Sequence, residues 1–164
     1  MASLCKCGKP VKTVRGDYLF AECGLNNVFL RGAKLLRCES CGSTTPVLSK
    51  VNQLLRVIAL ALVLKPSVLT GSEIRYLRKY VGLTGEQFGN KLGLTKEHIS
   101  RIENNKYPVG EQTERLIRFV AISADPDLAS AVQQLFDLMD DIGHAQHERI
   151  EINLETGSFK YAAA

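Results

Sequence analysis

The sequence predicts an α+β fold, mostly helical, in three parts. These are a small N-terminal β domain, a helix-turn-helix bundle, and a C-terminal helix followed by short strands. Three observations carry this expectation. Two close cysteine pairs, Cys5-Lys6-Cys7 and Cys38-Glu39-Ser40-Cys41, enclose short apolar runs separated by glycines. A succession of short helix signals follows between Thr70 and Ile122, the first three opening on Thr70, Thr84 and Thr95 as caps. Alternating apolar residues return from Ile150 to Leu154. The expected boundaries are residues 1–48 for the cysteine domain, 49–69 for a linking helix, 70–124 for the bundle and 125–164 for an acidic C-terminal extension.

Composition sets the broad class. At 164 residues, 45% apolar and 23% charged, the chain is globular rather than disordered. Its longest apolar run, Val57 to Leu64, is far short of the roughly 18 residues a membrane span needs. Lys6, Lys9 and Lys12 leave no apolar segment for a signal peptide, so a cytoplasmic location is expected. Reduced thiols there favour metal binding over disulfides. The net charge of +4 is unevenly spread: residues 1–70 carry +7, residues 71–124 carry +3 and residues 125–164 carry −6. The first two segments suit phosphate, and the tail reads as a solvated acidic helix.

Cys38 to Cys41, closed by Gly42, has the usual spacing of a zinc knuckle, with glycine relieving the tight turn. Cys5-Lys6-Cys7-Gly8 is one residue shorter. Four sulfurs at about 2.3 Å satisfy a tetrahedral structural zinc, so Cys5, Cys7, Cys38 and Cys41 are the expected ligands of a zinc-ribbon-like domain. Short strands are expected at Tyr18 to Phe20, Val28 to Leu30 and Leu35 to Leu36, bounded by Gly16, Gly24 and Gly32. A region this small has too little core to fold unaided, and bound zinc would supply on the order of 10 kcal/mol. Cys23 is left over; a buried or free thiol is expected there, with ligation in place of Cys5 or Cys7 as the alternative. A catalytic zinc is disfavoured, because residues 1–70 contain no His and such sites keep an open position.

Val51 to Leu64 reads as an apolar helix stopped by Lys65-Pro66, either packing the two domains together or dimerising. Thr70 and Glu73 form a capping box. The helix they open carries Ile74, Leu77 and Val81 on one face and Arg75, Arg78 and Lys79 on the other. Thr84 and Gln87 form a second box, before a helix burying Phe88 and Leu92. Gly93 breaks that helix. Thr95 caps the next, which buries Ile99 and Ile102 and ends at Asn104-Asn105, with Asn105 suited to a left-handed conformation. A further helix from Gly110 to Ile122 is expected to turn Leu116, Ile117 and Val120 inward.

In the tail, Asp125-Pro126 opens a helix with Leu128, Val132, Leu135, Met139 and Ile142 on one face. Asp140, His144 and His147 have a spacing that metal ligands share, although frayed helix-end polar residues are the commoner case. The strand at Ile150 to Leu154 turns at Thr156-Gly157, and Phe159 and Tyr161 return as a second strand. A lone strand is marginal, so pairing is expected, a dimer partner being one way to supply it.

The segments Leu83 to Phe88, Leu92-Gly93-Leu94-Thr95, Ile99 to Glu103 and Lys106-Tyr107-Pro108 resemble the Xre/Cro/C1 repressor family. Glu73 to Lys79, with the cysteine pairs ahead of it, resembles the YgiT-type zinc finger/helix-turn-helix proteins, which include the MqsA antitoxins. The resemblance covers residues 5–120 or so. It implies a lambda-repressor-like bundle, a homodimer and binding of double-stranded DNA at a palindromic operator. For the antitoxin members it also implies a toxin protein held by the zinc domain. Two departures stand out: Gly85 replaces the Gln that often opens the second helix, and about 40 residues continue past the bundle.

N-terminal residues of a recognition helix face base edges. Lys96, Glu97, Ser100 and Arg101 hold those positions, with Arg101 the expected base reader, at about 1–3 kcal/mol of discrimination. Asn104, Lys106 and the cap Thr84 suit phosphates. Pairing of Arg101 with Glu97 or Glu103 is the competing structural reading. His98, beside Ile99, is expected to pack or to touch phosphate. The leading expectation is therefore a DNA-binding repressor. The rival is a protein-binding adaptor using the zinc domain, the acidic tail or the Val57–Leu64 segment, with little salt-dependent DNA affinity. An enzyme is the remotest reading, because no phosphate loop, serine elbow or HExxH is present.

Overall fold

The computed structural model describes residues 4–139, 142 and 148–163. The fold is α+β, with a β-sheet ahead of a helical bundle, as the sequence predicts. Strand β1 (Lys12–Leu19) pairs antiparallel with β2 (Val28–Arg37). The two separate strands expected at Val28 to Leu30 and Leu35 to Leu36 are one strand. Gly32 is not a boundary but a bulge: β1 advances from Gly16 to Tyr18 while β2 covers Ala33 to Leu30. Its φ of +61° is a left-handed value that glycine accepts without strain.

On its other side β2 has two neighbours placed end to end. β3 (Thr44–Pro46) pairs antiparallel with Leu35 to Arg37. Near the C-terminus, β4 (Glu148–Asn153) pairs parallel with Val28 to Arg31, and β5 (Phe159–Ala163) closes the sheet antiparallel to β4. The expected C-terminal strands therefore find their partner inside the chain, with no need of a dimer. The two ends of the sequence share one sheet.

Helix α1 (Val51–Val63) lies between that sheet and the bundle, contacting β4, β5, α2 and α5. Its second half is apolar all round, and Ile58, Ala59, Ala61, Leu62 and Val63 are buried accordingly. The bundle consists of α2 (Gly71–Tyr80), α3 (Gly85–Leu92), α4 (Lys96–Glu103) and α5 (Glu111–Ala124). A 3-10 segment, Pro126–Ala131, capped by Asp125 as expected, leads into α6 (Val132–Leu138). Leu128 and Leu135 are buried, with Val132 and Met139 packed beside them. Asp140, His144 and His147 lie outside the described residues.

Of the three residues expected inward on α5, Ile117 is buried and Val120 packs against the core, but Leu116 does not turn inward. Leu116 is 40% exposed, whereas Glu114, Ile117, Arg118 and Ala121 are inward. The reason is the buried connector that follows α1. Arg118 donates to the carbonyls of Val63 (2.9 Å), Lys65 (2.6 Å) and Ser67 (2.8 Å). Glu114 accepts from the N–H of Leu69 and from Arg118. A buried loop must satisfy its backbone groups, and these two charged side chains do it.

The charge asymmetry is partly met within the fold. Acids of the C-terminal part meet cations of the N-terminal part. Glu151 meets Arg31, Glu155 meets Arg15, and Asp125 and Asp127 both meet Arg56. The acidic tail is not simply a solvated helix.

Candidate metal centre and helix-turn-helix surface

Each cysteine pair is held by its own turn. After Cys38, the N–H of Gly42 donates to the Cys38 carbonyl (2.9 Å), and Gly42 has φ +73°. After Cys5, the N–H of Gly8 donates to the Cys5 carbonyl (2.8 Å), with Gly8 at φ +81°. The shorter spacer of the first pair is thus absorbed by a tighter turn. The turns face each other: Cys5 Sγ lies 3.5 Å from Cys41 Sγ, and Cys7 Sγ lies 3.6 Å from Cys38 Sγ. All four sulfurs lie within 4.8 Å of one another. Four thiolates about 2.3 Å from one ion stand about 3.8 Å apart in a tetrahedron, so the cluster has the dimensions of a metal site.

The thiols disagree about where their protons belong. The backbone of Cys7 and the side chain of Cys41 hold the Cys5 thiol down at about 6. The backbone of Cys41 lowers Cys38 against the cost of its burial. The backbone of Lys9 favours the Cys7 thiolate, yet the sulfurs of Cys5 and Cys38 push it up to about 12. Four crowded sulfurs cannot all be anions without a cation among them, and a divalent ion removes the conflict. Cys23 stands apart. Its Sγ donates to the Phe20 carbonyl at 2.9 Å and burial raises its pKa.

In the bundle, the caps form as the sequence predicts. Thr70 with Glu73 and Thr84 with Gln87 make complete capping boxes, and Thr95 accepts from the N–H of His98. Helices α3 and α4 meet across the turn Gly93-Leu94-Thr95, with Gly93 left-handed at φ +68°. A Cβ on Gly89 would sit 2.5 Å from the Leu94 carbonyl oxygen, so only glycine lets the turn pack this closely. Asn105 is left-handed, as expected, at φ +55°, and its Oδ1 accepts from the N–H of Gly71.

Helix α4 buries Ile99, Ile102 and the carboxylate-bearing Glu103. Arg78 binds Glu103 with two nitrogens, at 2.5 and 3.0 Å, and Arg75 adds a third contact at 3.3 Å. The two arginines expected on the outer face of α2 therefore hold α4 in place. This clamp is missed by the sequence reading, since Glu103 looks like an ordinary surface residue until α2 is laid beside it.

Lys96, Glu97, Ser100 and Arg101 are all exposed on α4. Glu103 is turned inward, and among the described residues no ion pair joins Arg101 to Glu97 or to Glu103. Thr84 and Lys106 are exposed. Asn104 is exposed too, but Oδ1 already accepts from Arg75 (2.7 Å) and Nδ2 already donates to the Ser100 carbonyl (2.7 Å). His98 packs edge-on against Tyr107, with ring centroids 4.9 Å apart.

Residues 74–113 match the sequence model of the helix-turn-helix family. The match runs from α2 into the first turn of α5. It makes this segment an Xre/Cro/C1-type helix-turn-helix domain and supports a DNA-binding transcription regulator. No curated protein and no solved structure matches the chain. Among the described residues no helix is long and apolar enough to cross a membrane.

Proposed function

We propose that the chain is a sequence-specific transcriptional repressor. It binds a palindromic operator as a homodimer and is stiffened by one structural zinc held by Cys5, Cys7, Cys38 and Cys41. The observation that carries this reading is the state of α4. Its outer residues are exposed and Arg101 has no ion-pair partner among the described residues, while Glu103, Arg75 and Arg78 fix its inner side. A helix held rigidly with its donors free is what base readout requires. Arg101 and Lys96 donate to guanine O6 and N7, Glu97 accepts from cytosine N4, and Ser100 adapts to either. Thr84 and Lys106 contact phosphates, with Asn104 as a weaker contributor because its amide is engaged. The partner copy sits on the outer face of α5, where Leu116 and Phe119 are 40% and 42% exposed. Two half-sites about one helical turn apart, or a multiple of it, follow from that symmetry.

Four thiolates leave no open coordination position, which supports a structural role for the metal. Autoregulation, and the antitoxin role the resemblance implies, belong to this same reading. A toxin gene beside the chain's own gene, and co-purification of its product, distinguish an antitoxin from a stand-alone repressor.

The test is fluorescence anisotropy with DNA from upstream of the chain's own gene, against scrambled DNA, at two salt concentrations. Preference for the first DNA, with affinity falling steeply in salt and preference lost in Arg101→Ala, supports the reading. Equal, weak binding to both by the wild type sinks it and favours a protein-binding adaptor.

A further inference from the structure

The sheet has a gap. β4 follows β2 only as far as Arg31, opposite Asn153, and β3 joins only at Leu35, opposite Pro46. Between them, Gly32 and Ala33 border a cavity of about 280 Å3, whose other walls include the segment Val47 to Ser49, the start of α1 and the turn joining β4 to β5. That volume lies just below the roughly 300–1,000 Å3 of small-molecule sites. Leu54, Val57 and Ile152 give it an apolar interior. Arg15, Lys34 and Lys50 also line it, and the acid among its lining residues, Glu155, is engaged by Arg15 at 2.6 Å. Helix α1 begins there with no side-chain cap and no acid in its first turn, so its first N–H groups are open to an anion. Neither the cysteine cluster nor α4 uses any of these groups.

We infer that this cavity binds a small amphipathic carboxylate. Its apolar part lies against Leu54, Val57 and Ile152, and its carboxylate lies towards Lys34, Lys50 and the start of α1. Three cations against one acid select an anion, and the apolar interior rejects a fully hydrated one such as inorganic phosphate. Gly32 and Ala33 form the wall because neither β3 nor β4 pairs with β2 at those two residues. The inference does not depend on the DNA-binding proposal.

The experiment is a backbone-amide NMR titration of the full metal-loaded chain with sodium octanoate, with octan-1-ol and inorganic phosphate as comparisons. Saturable shifts are expected at Ala33, Lys34, Gln53 and Asn153 to Gly157, without comparable shifts in α3 or α4. Lys34→Glu combined with Lys50→Glu should weaken octanoate by about tenfold or more, as loss of charge-assisted contacts does. Val57→Trp, filling the interior, should abolish the shifts. Both surface charges can be reversed without touching the core, so the first variant remains informative if the second misfolds. Absence of saturable shifts, equal affinity for octan-1-ol, or octanoate binding unchanged in the charge-reversed variant would each overturn the inference.

Discussion

Lys65 and Glu73 form an ion pair whose two side chains are 0% and 1% exposed, with 3.0 Å between Nζ and Oε2. The same carboxylate closes the Thr70 capping box and accepts from Asn27 Nδ2 (3.1 Å), which also donates to the Glu148 carbonyl (2.8 Å). One buried acid thus ties the start of the helix-turn-helix bundle to the junction of β2 and β4. Removing only the cation should be costly, because Glu73 would stay buried without its charge partner. Lys65→Met is expected to lose about 3–5 kcal/mol in urea unfolding. Adding Glu73→Gln, which preserves the capping box, should restore a large part of that loss. Strictly additive effects would show that the pair is not coupled.

The cysteine cluster predicts a metal content. Cys41→Ser should lower bound zinc measured by elemental analysis and reduce the melting temperature, whereas Cys23→Ser should keep the metal at wild-type level. A strong chelator should loosen the β1–β3 end of the protein before the bundle melts. Full zinc and unchanged melting in Cys41→Ser would remove Cys41 from the site.

Two glycines of α3 predict opposite signs. Alanine has the better helix propensity, by about 1 kcal/mol. At Gly89 that gain is outweighed, because the new Cβ would meet the Leu94 carbonyl at 2.5 Å, and overpacking costs about 1–3 kcal/mol. At Gly85 the nearest atom is Lys96 Cγ at 3.7 Å, an ordinary contact, so Gly85→Ala should stabilise by about 0.4–1 kcal/mol. Thermal melts of the two variants decide the matter, and like signs would contradict the packing of α3 against the turn.

Acid should weaken the link between the two ends of the chain. Arg31, then Lys160, hold the Glu151 carboxyl below its ordinary value of 4.5. Asp125 is lowered in the same way by the Tyr80 hydroxyl and by Arg56. In each case the unfolded chain takes up the proton first as pH falls. Their stabilisation is full above the ordinary carboxylate range and is lost as pH drops through the folded values. Glu151→Gln should therefore be less stable than wild type near pH 7 and show a flatter loss below pH 4.5. An unchanged acid limb in that variant would mean Glu151 is not a contributor.

Much of the architecture is legible locally. Caps, breaks and apolar spacing mark α2, α3 and α4 to within a residue, because Thr70, Thr84, Thr95 and Gly93 act on backbone groups a few positions away. The cysteine cluster is legible for the same reason: two turns, each closed by glycine, need only face each other. Other features depend on what lies across a gap. Arg75 and Arg78 look free on α2 until Glu103 of α4 meets them. Arg118 looks like a surface residue until the buried connector offers it three carbonyls.

The sequence by itself determined the fold class, the helix-turn-helix segment and the four cysteines that cluster, since each is written in spacings of a few residues. Only the tertiary structure decided that β4 joins β2, that α5 turns Glu114 and Arg118 inward, and that acids of the tail pair with Arg15, Arg31 and Arg56. Those outcomes depend on which distant groups become neighbours once the chain has folded. Charge pairing and backbone satisfaction in a buried interior are properties of the assembled molecule, and no local pattern encodes them.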